Sequence, residues 1–158
     1  MAENERKVLV VANRTADSPE LIAALRERAA GAPTSFTLLV PAVPHGLSWA
    51  ADMKAGWAEA VGRAERAADR IRGCSLELEE TIVGDPDPFA AVGDVLHARE
   101  FDEIVVSVLP RTISRWLVLG LPARLRRSVD LPVTQVNASS RPLGKALPAR
   151  AERTAVAA

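Results

Sequence analysis

The sequence has little with which to staple itself together. One cysteine, Cys74, stands among 158 residues, which excludes an intrachain disulfide and a cysteine-based zinc cluster and agrees with a reducing compartment. Histidine is almost as scarce. His45 lies in a loop and His97 follows Leu96 on a helical stretch, and a histidine with no second ligand or carboxylate in view reads as surface. No apolar run approaches the roughly 18 residues that a spanning helix requires. The opening MAENERKVLVVAN carries no signal-peptide core, so the expectation is a cytoplasmic protein without a membrane partner. Neither sign of charge dominates, with Lys plus Arg and Asp plus Glu both at 20. No global field therefore favours nucleic acid, and none is expected as a partner.

Catalytic signatures are missing as well. There is no Gly-x-Ser-x-Gly elbow, no His-Glu-x-x-His, no Walker Gly-Lys-Ser/Thr and no Gly-x-Gly-x-x-Gly after the first strand. Nothing in the residues argues for an enzyme or for a metal site.

What is present is regular alternation. Val8 to Val11 is an unbroken β-branched and Leu run, as in a strand buried on both faces. Ser18-Pro19-Glu20 then supplies an N-cap, a proline at the first helical position and an early acid, with Gly31 as the helix stop. Phe36 to Val40 reads as a second strand, followed by a loop over Pro41 to Trp49. From Ala51 to Arg72 the apolar positions Met53, Trp57, Val61, Ala64, Ala68 and Ile71 keep helical spacing, and Glu59, Arg63, Arg66 and Arg70 take the opposite, solvent face. Ser75 to Val83 alternates at first, which predicts an edge strand guarded by Glu77 and Glu79. Two Asp-Pro steps at Asp85 and Asp87 start another helix, with Phe89, Val92 and Leu96 inward. Ile104 to Val108 is a further central strand, Arg124 to Arg127 lies on a basic helix, and Val133 to Val136 is the last strand.

A chain of this length suits one domain with a core of its own. Such alternation predicts an α/β domain, a parallel sheet with helices on both faces in three α/β/α layers. The expected domain is 1–137. Residues 138–158 are rich in Ala, Pro and Arg without apolar periodicity, which predicts a disordered basic tail and leaves the body mildly acidic.

Two stretches resemble the universal stress protein family. Val83-Gly84-Asp85-Pro86, Phe89-Ala90-Ala91-Val92 and Asp102-Glu103-Ile104-Val105-Val106 look like its Gly-Asp-Pro helix start and following strand. Trp116-Leu117-Val118-Leu119-Gly120, Arg124-Leu125 and Leu131-Pro132-Val133 are similar to its Leu-rich helix ending in glycine and its last strand. The resemblance runs from Val8 to Val136. It implies a Rossmann-like five-stranded parallel sheet in the order 3-2-1-4-5, a stress-response role without enzymatic activity, a homodimer through the last strand, and ATP or AMP as the ligand of those members that bind one.

The binders carry Gly-x-x-Gly and, nine residues on, Gly-Ser or Gly-Thr. Those positions fall here on Ser107, Pro110, Gly120 and Leu121. Pro110 has no N–H for a phosphate, and Leu121 has no hydroxyl to cap a helix or meet one. Where the binders have an aspartate after the first strand, this chain has Asn13. The expectation is a regulatory domain that does not hold ATP by the usual motif and works through a protein partner or another small ligand. The competing expectation is a rebuilt nucleotide pocket of Asn13, Val83, Gly84, Ser107, Arg111, Arg115, Gly120 and Leu121, with the two arginines replacing backbone donors. Against it, Arg111, Arg115, Arg124, Arg126 and Arg127 also read as a solvated basic face, Thr112 and Ser114 as helix caps, and Trp116 as core.

Overall fold

Each strand here pairs in parallel with its neighbours. The computed structural model describes residues 4–42, 49–109 and 120–139. In chain order the elements are β1 (Arg6–Val11), α1 (Pro19–Gly31), β2 (Thr34–Pro41), α2 (Trp49–Gly73), β3 (Glu77–Gly84), α3 (Pro88–Ala98), β4 (Glu103–Val108), α4 (Leu121–Ser128) and β5 (Val133–Asn137). They form one sheet in the order β3-β2-β1-β4-β5, as expected. β1 is central, with Val8 facing Phe36 on β2 and Glu103 on β4. Val8, Leu9, Val10 and Val11 are all fully buried. Each such side chain contributes about 1.5–3 kcal/mol relative to exposure, so this strand anchors both layers.

Two cores lie on opposite faces of the sheet. On one, Val8, Val10, Phe36 and Leu38 pack under Leu21 and Leu25 of α1 and Ala60, Ala64, Ala67 and Ile71 of α2. On the other, Leu9, Val11, Ile104 and Val106 meet Ala91, Val92 and Val95 of α3 and Leu121 and Leu125 of α4. The three-layer arrangement follows from these contacts.

The local signals act as the residues predict. Ser18 caps α1, its Oγ accepting from the Leu21 N–H at 3.2 Å, with Pro19 at the first position. Asp87 caps α3 in the same way, accepting from the Phe89 N–H at 3.0 Å. Gly31 is the last helical residue of α1, and the chain turns extended at Ala32.

The face of α2 differs from expectation. Trp57 is 49 % exposed and Val61 only half-buried, and the inward stripe runs through Gly56, Ala60, Ala64, Ala67 and Ile71. A run of alanines brings the helix axis close to the sheet. An indole does not fit beneath it, so Trp57 and Val61 leave the expected stripe, whereas Ala64, Ala68 and Ile71 of that stripe are buried as expected. β3 is the predicted edge, with Glu77 and Glu79 exposed. A register shift between Phe36 and Thr37 places Leu78 and Glu80 opposite them and leaves Glu79 unpaired, a bulge that also discourages edge pairing.

At the amino end of the sheet a buried carboxylate ties four elements together. Glu103 is 3 % exposed. It accepts from Arg28 on α1 at 2.6 and 3.0 Å, from Arg6 on β1 at 2.9 Å and from Thr134 on β5 at 2.8 Å. At the other end the chain leaving β5 is also held. Ala138 is buried and its N–H donates to the Val108 carbonyl at 2.9 Å, and the Ser139 N–H donates to Glu20 at 3.0 Å. Hydrogen bonds from the Ser139 side chain first, then from the Glu20 and Ser139 backbone, hold the Glu20 carboxyl below its ordinary range.

Candidate functional site: the switch point at the carboxyl ends of the strands

The chain leaves β1 in one direction, toward α1 and β2, and returns through α3 to β4 on the other side of β1. The carboxyl ends of β1 and β4 therefore diverge at a topological switch point, the place where open α/β sheets bind ligands. Asn13, Ser107 and Gly120 all lie around that point.

Asn13 is held from both sides. Its Nδ2 donates to the Pro41 carbonyl at the end of β2, at 2.7 Å. Its Oδ1 accepts from Nη1 of Arg63, which reaches over from α2. Because a carbonyl can only accept and a guanidinium can only donate, this position needs one donor and one acceptor, and a carboxamide supplies them. An aspartate would turn an oxygen toward the Pro41 carbonyl. Arg63 also donates to Glu59 one turn earlier, at 2.6 Å. Its side chain is 16 % exposed against 47 % for that of Glu59, so the solvent-face assignment of Arg63 is corrected. Sequence spacing shows only the i,i+4 pair with Glu59; the partner fifty residues away is a product of the fold.

Val83 and Gly84 end β3, two strands away from β1. Gly84 pairs with Pro41 and accepts from the Ala42 N–H at 3.0 Å, so it adjoins the Asn13 anchor. Its lack of a side chain has a packing reason. A Cβ would stand 2.8 Å from Leu39 Cδ1 and 3.0 Å from Ala91 Cβ, where α3 crosses the sheet. Val83 is half-buried against the α1–α2 core.

On the other side of β1, Ser107 is 1 % exposed, and its hydroxyl has no partner among the described residues. It sits one step past the Val11–Val106 pair and opposite Val136 of β5. Gly120 precedes α4 with φ 65° and ψ 31°, a left-handed conformation that favours glycine, and no side chain caps the helix. Leu121 is 2 % exposed and belongs to the core against β4 and α3. Its side chain thus anchors the helix, and the Arg124 N–H closes the first turn on the Gly120 carbonyl at 2.9 Å.

Arg111 and Arg115, with Pro110, Thr112, Ser114, Trp116 and His45, lie outside the described residues. The α4 arginines lie within them, and each has an intramolecular neighbour. Arg124 stands over the Phe89 ring at 4.3 Å, Arg126 donates to the Val133 carbonyl at 3.2 Å, and Arg127 donates to Ala123 at 3.3 Å. In each case the guanidinium group itself makes the contact, against a ring face or a backbone carbonyl. His97 is exposed, with Nδ1 2.8 Å from the Gly93 carbonyl. Cys74 is partly buried beside the α1–α2 core. Among the described residues no group of three metal-ligating side chains converges, and no helix is long and apolar enough to cross a membrane.

No protein-family model matches the sequence, and no curated protein matches it. Solved structures do. An Arabidopsis thaliana universal stress protein family protein with AMP bound is 15 % identical, over 85 % of this chain and 93 % of that one, with a TM-score of 0.59. The universal stress protein from Archaeoglobus fulgidus in complex with dAMP is 18 % identical, over 83 % and 97 %, with a TM-score of 0.56. A universal stress protein in complex with cAMP is 22 % identical, over 85 % and 98 %, with a TM-score of 0.53. At these identities the likeness concerns architecture, and together with the strand order it establishes that the chain has the universal stress protein fold.

Proposed function

We propose that this chain is a non-enzymatic, cytoplasmic regulatory domain of the stress-response type, whose switch point does not hold ATP by the usual phosphate loop. It works through a protein partner or a different small ligand, and it pairs with a second copy along β5. One observation carries the reading. The carboxamide of Asn13, in the position where the fold's ATP binders have an aspartate, has its donor engaged by Pro41 and its acceptor by Arg63. Both partners fix the amide, and a ribose hydroxyl would find one lone pair and one N–H of a neutral group there in place of a free carboxylate. The core position of Leu121 and the proline at position 110 point the same way, since Leu121 has no side-chain hydroxyl and Pro110 no N–H for a phosphate.

A second reading keeps nucleotide binding in a rebuilt pocket using Arg111 and Arg115. It is favoured by the unpartnered Ser107 hydroxyl and by Gly120, whose left-handed backbone leaves the start of α4 uncapped. The neighbours solved with AMP, dAMP and cAMP bring adenine nucleotides into consideration. Calorimetric titration with ATP, ADP and AMP, with and without magnesium, separates the two. The first reading expects no micromolar ATP isotherm. The second expects one, abolished by Arg111→Ala.

A further inference from the structure

The strongest unassigned feature is the guanidinium of Arg63. It projects from α2 to the end of β1, and its side chain is largely withdrawn from solvent. Among the described residues it contacts one neutral acceptor, Asn13, and one carboxylate, Glu59. These take two of its five N–H donors, leaving an arc to meet a tetrahedral anion. Its two partners differ in kind. Asn13 is fixed by the Pro41 carbonyl and holds the guanidinium in place, whereas Glu59 lies on a half-exposed turn of the same helix. An i,i+4 pair of that exposure is weak and exchanges readily. A partly buried fork facing a fixed amide on one side and a replaceable carboxylate on the other is the arrangement that suits a planar guanidinium binding phosphate.

We propose that Arg63 is an anion-binding residue of the switch point, taking a phosphomonoester group in exchange for Glu59. The inference rests on the reading of this end of the sheet as a site for a small ligand other than ATP on the usual loop, and it names the ligand's chemistry. Asn13 then acts as the positioning residue, holding the guanidinium at the mouth of β1. Because the ligand contacts one principal cation, affinity is modest and responds strongly to the charge of Glu59.

The test uses the full chain and nuclear magnetic resonance titrations at constant ionic strength with inorganic phosphate, AMP and adenosine. AMP or phosphate is expected to shift the Arg63 Nε–H and Asn13 side-chain amide resonances, while adenosine leaves them in place. AMP binding more tightly than phosphate assigns the site to a nucleoside monophosphate; equal binding assigns it to free phosphate. Arg63→Lys should weaken the bound anion about tenfold, the loss of a charge-assisted contact. Glu59→Gln should tighten it, by up to about fivefold, because the intramolecular competitor is removed; a purely structural Arg63 would show no such gain. Undiminished binding in Arg63→Lys, equal affinity for adenosine and AMP, or no shift with phosphate or AMP overturns the proposal. The last of these leaves the regulatory reading standing, whereas a micromolar ATP isotherm that persists in Arg63→Lys overturns both. Should a variant fail to fold, the Arg63 and Asn13 resonances of the unaltered chain decide the matter.

Discussion

Asn13, Gly84 and Gly120 show how single residues set what the switch point can do. Gly84 is the clearest case, because the fold explains it without any ligand: α3 passes so close to β2 and β3 that a methyl group meets Leu39 and Ala91. Gly84→Ala is expected to cost about 1–3 kcal/mol of stability, read as a lower urea midpoint at unchanged slope. An unchanged midpoint would mean that α3 shifts freely, contrary to its packing. Residue chemistry was partly legible in the sequence. Ser18-Pro19 and Asp87-Pro88 cap their helices through atoms two or three positions away, and local grammar of that kind survives folding. Arg63 was not legible, since Asn13 and Arg63 meet only after α2 has been laid across β2.

Elements are held in register by groups that sequence patterns assign to other tasks. Glu103 opens a strand whose remaining residues read as core, yet it gathers Arg6, Arg28 and Thr134 from three other elements. Burial by itself would raise its carboxyl. Hydrogen bonds from Arg28 and Thr134, with the charges of Arg28 and Arg6, outweigh that and hold it below the ordinary glutamate value. A lowered folded value means that the unfolded chain takes up the proton first. The stabilisation is therefore complete above the unfolded value, about 4.3, and is lost as pH falls through the folded one. Glu103→Gln should lower stability by several kcal/mol at pH 7, since Arg28 and Arg6 lose a buried counter-charge. The gap between variant and parent, from urea melts across pH 7 to 3, should narrow toward the acid end. A gap constant with pH would remove the charge from this account. The apolar face of α2 was the poorer forecast at this scale. Periodicity gave the helix, but the choice between Trp57 and the alanine stripe depends on how near the sheet lies, which spacing along one helix does not contain.

At the scale of the molecule, the alternation of elements made the layers and the parallel sheet legible, and the family resemblance supplied the order of strands that the fold adopts. The two edges differ. β3 is guarded by Glu77, Glu79 and a bulge, whereas β5 presents Val133, Thr134, Gln135 and Val136 without a charge. An edge strand that itself carries no charge, with Arg126 at the Val133 carbonyl, suits pairing with a second copy, the homodimer of the proposed function. Sedimentation at tens of micromolar should show a dimer, converted to monomer by Gln135→Lys, which places a charge on the edge strand outside the core; a monomer in the parent chain removes that part of the proposal. The central claim is that the fold is kept while the usual ATP loop is lost, and it is tested most directly by titrating the full chain with magnesium-ATP in a calorimeter. The account predicts no saturable heat at micromolar ATP, and a one-to-one isotherm with a micromolar Kd would contradict it.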